Sequence, residues 1–159
     1  MCVADALAQD VPKAEYSIKE YEARLGTRIR RDQIHGSSVA VNLPYAQLSE
    51  QDKASLHAWW ENIAPGDEPP FPVHGLRELY DPLRKAGDAF LDAGKLVAVA
   101  TVGPDGKVLD VRVFEAPSKK MGDFVARVLL LTDFKPAICS GVPCRMEYPL
   151  RMTFTVTLR

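Results

Sequence analysis

Apolar and polar residues alternate most regularly near the C-terminus of the chain. From Met146 to Leu158 every second residue is apolar, and the intervening positions are polar or charged apart from Pro149. A period of two is typical of a β-strand with one buried face and one wet face. Pro149 has no backbone N–H to donate, so we expect one side of this strand to lack a paired neighbour there.

A β-hairpin is predicted upstream of this strand. The apolar-rich runs 95–102 and 107–114 flank a Gly-Pro-Asp-Gly turn, and Asp-Gly between two such runs is a strong hairpin signal. In the second run we expect Leu109, Val111 and Val113 to share the buried face, because alternate residues of a strand point the same way.

Two helices are predicted around the hairpin. Residues 77–93 have a helical apolar stripe that ends before Gly94, and we expect Pro82 in the first turn, where proline is tolerated. Ser118 is suited to cap a second helix that runs to about residue 131.

The N-terminal half predicts a strand and a helix. Residues 39–43 alternate as a strand does, whereas residues 16–31 give no clear pattern. Ser49 is a suitable N-cap for a helix whose apolar stripe has helical spacing and comprises Leu56, Trp59, Trp60 and Ile63. The adjacent tryptophans either anchor this helix in the core, the interpretation we favour, or form an exposed binding platform.

These patterns divide the chain into four parts. Residues 1–12 form a disordered tail or the remnant of a signal peptide, because Ala6-Leu7-Ala8 matches a signal-peptidase site; Cys2 could instead remain from lipoprotein cleavage. Residues 13–63 form an N-terminal α+β extension. Residues 64–72, with four prolines, predict an extended connector, and residues 73–159 form the C-terminal domain.

Composition and charge restrict the class of protein. Apolar residues make up 47% and charged residues 26% of the 159 positions, which is normal for a soluble globular chain. The formal charge of −1 argues against nucleic acid as the main partner, since phosphate binding needs a basic excess. No apolar run approaches the roughly 18 residues of a membrane span.

The cysteine pair Cys139 and Cys144 encloses Ser-Gly-Val-Pro, a turn sequence that brings the two thiols together. A disulfide is the interpretation we favour, and it would indicate an oxidising compartment. A metal site would need two more ligands at useful spacing. Two unrelated reduced thiols are the third alternative.

No motif for catalysis or cofactor binding is present. The sequence has no P-loop, no Gly-x-Ser-x-Gly, no His-Glu-x-x-His and no Gly-x-Gly-x-x-Gly. His35 and Ser37 fit a loop better than a catalytic pair, His57 is expected to pack or face water, and Asp67-Glu68 fits a solvated connector better than a cation site. We therefore expect neither an enzyme, nor a cofactor, nor a bound metal.

The order of motifs in residues 80–159 resembles the C-terminal domain of TonB-type energy transducers. The matching features are the strand 96–102, the Asp105-Gly-Lys-Val108 turn, Val111-Arg-Val113, a helix, Phe134-Lys-Pro-Ala137, Gly141-Val-Pro143 and the alternating last strand. TonB also has a membrane anchor and a long Pro-rich spacer, and we expect neither from the patterns in these residues. The resemblance implies an α+β fold in which a hairpin, a helix and a long strand form an antiparallel sheet packed with helices.

The resemblance also implies a function and a place. It implies a periplasmic protein of the bacterial envelope, connected with transport, that binds an extended protein or peptide partner by strand addition. The expected binding residues lie on the last strand and are Arg151, Thr153, Phe154, Thr155, Val156 and Thr157. Two alternatives remain: a homodimer formed through this edge, and a structural or ligand-binding envelope module whose sheet edge is covered and which transduces no energy.

Overall fold

The computed structural model describes residues 39–61 and 63–156. The predictions for residues 1–12 and 16–31 lie outside them. The elements in chain order are α1 (Glu50–His57), β1 (Phe71–Pro72), α2 (Arg77–Phe90), β2 (Gly94–Val102), β3 (Val108–Glu115), α3 (Lys119–Leu131), β4 (Phe134–Lys135), β5 (Ala137–Cys139), β6 (Val142–Cys144) and β7 (Met146–Phe154).

The main sheet has three antiparallel strands in the order β3-β2-β7. The hairpin β2–β3, the helix α3 and the long strand β7 appear as the sequence predicts. Even-numbered side chains of β7 point to the core, where Tyr148, Leu150 and Phe154 are buried together with Leu79 and Leu83 of α2. The chain is therefore an α+β protein with α2 and α3 in its core.

Polar side chains fix the starts of two helices where the sequence predicts them. The Ser49 hydroxyl accepts a hydrogen bond from the backbone N–H of Asp52 at 3.0 Å, and the Ser118 hydroxyl accepts one from Met121 N–H at 3.1 Å. Each bond satisfies a donor that the first helical turn leaves without a partner. The hairpin turn needs Gly106, whose φ of 80° suits glycine and few other residues.

Several local predictions are wrong. Residues 39–43 form a turn rather than a strand, and Val41 instead accepts a 2.7 Å hydrogen bond from Arg77 N–H. Leu109 is 55% exposed, because a bulge between the pairs of Thr101 and Val102 removes it from the buried row of β3. Pro82 lies in the second turn of α2, not in the first.

Two element ends also differ from the prediction. The helix α2 stops at Phe90 rather than Ala93, because Leu91 adopts a left-handed conformation. The strand β7 ends at Phe154, although the alternating pattern continues to Leu158. Pattern alone places the end of β7 poorly, because the end of a strand is set by its pairing partner. Here β2 begins opposite Phe154, so the pairing ends there.

The Pro-rich segment 64–72 is not extended throughout, contrary to the prediction: it begins with a turn, in which Asp67 N–H donates to Ala64 O at 3.0 Å, and from Glu68 on it is paired with the C-terminal part of the chain. The strand β1 pairs with β4, and Glu68 and Ile138 exchange two backbone hydrogen bonds of 2.9 Å each. Residues before, within and after this segment contribute to one hydrophobic cluster that includes Leu56, Phe71 and Tyr148.

Candidate functional site

The strand β7 lies at an edge of the main sheet. Its nine residues pair in continuous register with Gly94–Val102 of β2 on one side. On the other side, called here the outer edge of β7, no strand is paired within residues 39–61 and 63–156. An edge of this kind can accept an additional strand.

The backbone groups at the outer edge belong to the odd-numbered residues of β7. Along a strand, the backbone groups of successive residues point alternately to its two neighbours. Gly103, just after β2, donates its N–H to Lys107 O at 2.8 Å on the β3 side, so the odd residues of β2 direct their backbone groups toward β3. The even residues of β2 then bond to their even partners in β7, for example Ala98 to Leu150. Pro149 is consequently at a position where its missing N–H removes no bond to β2.

The start of the outer edge is occupied by a side chain. The indole Nε1–H of Trp60 donates to the carbonyl oxygen of Glu147 at 2.8 Å, and its ring lies 6.5 Å from that of Tyr148. Trp59 stacks on Trp60 with ring centres 6.0 Å apart, and both rings are buried. The tryptophans therefore anchor the N-terminal segment in the core, as the favoured interpretation predicts, although α1 itself ends at His57.

The predicted binding residues occupy different environments. Thr153 and Thr155 are exposed, Val156 is 37% exposed, and Arg151 is half-buried. The ring of Phe154 is buried against α2, where a Cβ placed on Gly87 would lie 2.5 Å from Phe154 Cδ1. Phe154 thus belongs to the core, and Thr157 lies outside the described residues.

An ion pair crosses the face of the sheet opposite the helices. The Arg112 guanidinium of β3 donates to the Glu147 carboxylate of β7 at 3.0 Å, and this pair spans the central strand above the buried side chain of Thr101. The Glu147 carboxylate is largely buried and therefore screened less than a surface charge. Glu147 is accordingly held by its side chain as well as by its carbonyl oxygen.

A cluster of polar side chains fixes the end of α1 near these tryptophans. The hydroxyl of Tyr45 lies 3.0 Å from Nε2 of His57, and the Lys135 ammonium lies 4.6 Å from the centre of the Tyr45 ring. Lys135 also pairs with Glu68 at 2.7 Å. Burial raises the pKa of Tyr45 to about 12, so its hydroxyl stays neutral at physiological pH.

The cysteine pair forms the predicted disulfide. Cys139 and Cys144 are bonded, with Cα atoms 5.8 Å apart, and they close the hairpin of β5 and β6. Ser140 and Gly141 at its tip both have positive φ, the pattern of the tight turns that join short hairpins. Asp67 accepts a 2.8 Å hydrogen bond from Ser140 N–H, so the hairpin also contacts the Pro-rich segment.

The described residues hold neither a metal-binding cluster nor a helix that could cross a membrane. In the described part of the chain no group of three or more His, Cys, Asp or Glu side chains is placed to hold a metal ion. None of the helices found there has the length and apolar character needed to cross a membrane. No known family model matches the sequence, and no curated protein matches it.

Three features of this region could not be read from the sequence. The Trp60–Glu147 bond joins residues 87 positions apart, and the Tyr45–His57 bond depends on how α1 is docked. The conformation of Leu91 follows no Gly or Asn signal at a helix end. Of these three features, only the Trp60–Glu147 bond has a related pattern in the sequence, the adjacent tryptophans at positions 59 and 60, which favour an anchor in the core.

Proposed function

We propose that this protein binds an extended segment of a partner protein by strand addition at the outer edge of β7. The observation that carries the proposal is the position of β7 at the edge of its sheet. Thr153 and Thr155, near the end of this strand, are exposed. In this mode main-chain hydrogen bonds supply affinity and alternate side-chain contacts supply specificity. The protein acts by binding and is not an enzyme.

The resemblance to the TonB C-terminal domain supports the same mode of binding and a periplasmic location. The disulfide fits that location, since such bonds persist in oxidising compartments. The partner is a protein or peptide of the bacterial envelope, and a role in transport follows only through that partner. Energy transduction is not part of the proposal, because residues 13–63 have no counterpart in the resemblance.

A second candidate function is a structural or ligand-binding envelope module that adds no strand. The observation in its favour is the Trp60 side chain, which already occupies the Glu147 carbonyl at the outer edge. If other groups cover the rest of that edge, β7 has no backbone group to offer. A homodimer formed edge to edge is a further form of strand addition, with a second copy as the partner.

Replacement of Thr155 by proline tests strand addition. By the alternation along β7, the N–H of Thr155 points to the outer edge, and the residue lies just beyond the paired strand. Thr155→Pro should therefore fold with little loss of stability and lose one donor for a partner. Thr155→Val is the matched control, because it keeps the N–H and the branched shape.

The measurement is selection of a displayed 12-residue peptide library on the parent protein, followed by affinity measurements with the selected peptide. We expect Thr155→Val to bind as the parent does and Thr155→Pro to bind at least about tenfold more weakly. Sedimentation of the parent protein without peptide shows whether it forms a homodimer. A loss of about 3 kcal/mol or more in the unfolding free energy of Thr155→Pro would show that this N–H is already paired, and would retire strand addition.

A further inference from the structure

Apolar side chains are exposed where α2 begins and α3 ends. Val73 N–H donates to Asp133 O at 3.0 Å, so the residues that lead into α2 lie beside those that follow α3. Leu131, the last residue of α3, is 85% exposed, Leu130 is 51% exposed and Val73 is 40% exposed. These three side chains define an apolar surface, called here the α2–α3 corner.

A carboxylate oxygen without a partner belongs to the same end of α2. Glu78 lies in the first turn of the helix, and its Oε2 atom is buried. No hydrogen-bond partner reaches this oxygen from the residues that the structure describes. A buried polar atom of this kind normally has a partner, so its isolation needs an explanation.

The position of Glu78 on the helix directs it toward α3. Glu78 is nine residues, or two and a half turns, before Gly87, so the two lie on opposite sides of α2. Gly87 faces Phe154 of β7, whereas α3 packs on β3, where a Cβ on Gly122 would lie 3.8 Å from Val113 Cγ1. Since the strand order is β3-β2-β7, the side of α2 away from β7 is the side of α3.

The chain that precedes the described residues enters beside this corner. Val41 O accepts a 2.7 Å hydrogen bond from the N–H of Arg77, the neighbour of Glu78, and a Cβ on Gly75 would lie 2.8 Å from Leu43 O. An extended chain advances roughly 3.5 Å per residue. The residues shortly before Val41 are therefore long enough to reach any part of the corner.

The composition of residues 28–38 matches both features of the corner. The segment has three arginines and two isoleucines, which are Arg28, Arg30, Arg31, Ile29 and Ile34. The arginine guanidinium is the cationic group best suited to a buried carboxylate, because it can donate two parallel hydrogen bonds. The isoleucines offer apolar surface to exposed leucines.

We propose that residues 28–38 dock on the α2–α3 corner, where one of the three arginines pairs with Glu78 and an isoleucine covers Leu131. The corner is thus the binding surface for a segment of the same chain. This inference concerns a different surface from the outer edge of β7 and does not depend on strand addition.

Trypsin, which cleaves after arginine, tests the docking on the full chain. A docked segment is cleaved only when it is released, so the cleavage rate follows the released fraction. Leu131→Asn and Glu78→Gln should each raise the rate of cleavage after residues 28, 30 and 31 by about tenfold, as the loss of one good contact does. Mass spectrometry of the fragments identifies the cleaved bonds. Leu91→Asn, which changes a leucine that is 73% exposed at the other end of α2, is the matched control and should be cleaved as the parent is.

Urea unfolding tests the ion pair separately. Glu78→Gln should raise the unfolding equilibrium constant by about tenfold, and so should replacement of the three arginines by glutamine. The combined variant should be no less stable than either alone, because both changes remove the same pair. Glu50→Gln, which changes a carboxylate that is 92% exposed, is the control and should unfold as the parent does.

Three results would overturn the docking. The first is cleavage of the parent at the rate of a synthetic peptide of residues 24–38, or an unchanged rate in Leu131→Asn. The second is a Glu78→Gln variant as stable as the parent or more stable, which is the result expected when a buried carboxylate has no partner. The third is protection from trypsin that grows with protein concentration, which would assign the segment on the corner to a second copy.

Discussion

The indole Nε1–H of Trp60 donates a 2.8 Å hydrogen bond to the main-chain carbonyl of Glu147, 87 residues later in the chain. This single bond joins the segment after α1 to the outer edge of β7. The donor takes the place that the N–H of a neighbouring strand would occupy at that carbonyl. The Trp60 side chain therefore stabilises the fold and also closes the first position of the edge.

The first prediction separates these two effects of Trp60. Trp60→Phe keeps an aromatic ring in the core but removes the N–H, so it should cost about 1–3 kcal/mol, because the partly buried Glu147 carbonyl loses its partner. Trp60→Ala also removes the ring, and should cost about 3–5 kcal/mol. Urea unfolding measures both values. Equal stability of Trp60→Phe and the parent would show that the bond contributes nothing.

The second prediction concerns the disulfide. Closing the short loop between Cys139 and Cys144 should stabilise the protein by about 2 kcal/mol in the chain-entropy view. Addition of a reductant should therefore lower the urea midpoint of the parent. The double variant Cys139→Ser with Cys144→Ser is the control, and its midpoint should be the same with and without reductant. Alkylation of both thiols in the non-reduced protein would contradict the bond.

The sequence predicts the C-terminal half of this fold well because its signals are local. The Asp105-Gly106 turn, the Ser118 cap and the period-two pattern of β7 each act within a few residues, and each appears in the structure. The cysteine pair is also local, since Ser140 and Gly141 form the turn that brings the thiols together.

The features that the sequence does not predict depend on distant contacts. The turn at residues 39–43 replaces a predicted strand because Val41 bonds to Arg77 instead of a neighbouring strand. The bulge that exposes Leu109 is a property of the β2–β3 register, which alternation alone cannot show. The open edge of β7 could be suggested by Pro149, but the bond from Trp60 required the tertiary structure.

The third prediction follows from the environment of His57. Burial lowers its pKa below the ordinary value of 6.5; Glu68 opposes this shift, and Lys135 and Lys53 add to it. The folded protein therefore binds this proton less readily than the unfolded chain, and stability rises with pH. The contribution is complete above the unfolded value of about 6.5 and is lost as the pH falls toward the folded value.

Unfolding free energies measured between about pH 5 and pH 8 test this sign. We expect His57→Gln to show a weaker rise of stability with pH than the parent. Tyr45→Phe is the companion variant: it removes the hydroxyl next to Nε2 but leaves the imidazole half-buried as before, so it should keep most of the dependence. Parallel pH curves for the parent and His57→Gln would contradict the prediction.

The fourth prediction concerns the hydroxyl group of Tyr148. Tyr148 is fully buried, burial raises its pKa well above the ordinary value, and within the described residues no hydrogen-bond partner reaches its hydroxyl. A buried polar group without a partner costs about 1–3 kcal/mol. Tyr148→Phe should therefore be neutral or stabilising in urea unfolding, and Tyr148→Leu, which removes the ring beside Phe134 and Trp60, should destabilise. A clear loss in Tyr148→Phe would reveal a partner for the hydroxyl.

The fifth prediction concerns the effect of Pro149 on association. Proline on an edge strand removes one donor from the row of backbone groups that a second chain could pair with. Pro149→Val restores an N–H that points to the outer edge and keeps a buried apolar side chain of similar size. We expect the variant to fold with a stability within about 1.5 kcal/mol of the parent, as conservative apolar changes usually do.

The restored donor should lengthen the stretch of β7 that can pair, so Pro149→Val should self-associate at lower concentration than the parent in analytical ultracentrifugation. The double variant Pro149→Val with Thr155→Pro controls for a general loss of solubility, because it restores one donor and removes another from the same edge. If the parent and Pro149→Val sediment alike at every concentration, Pro149 does not limit self-association through the outer edge. Association of Pro149→Val that the second substitution does not reduce would place the contact elsewhere than on β7.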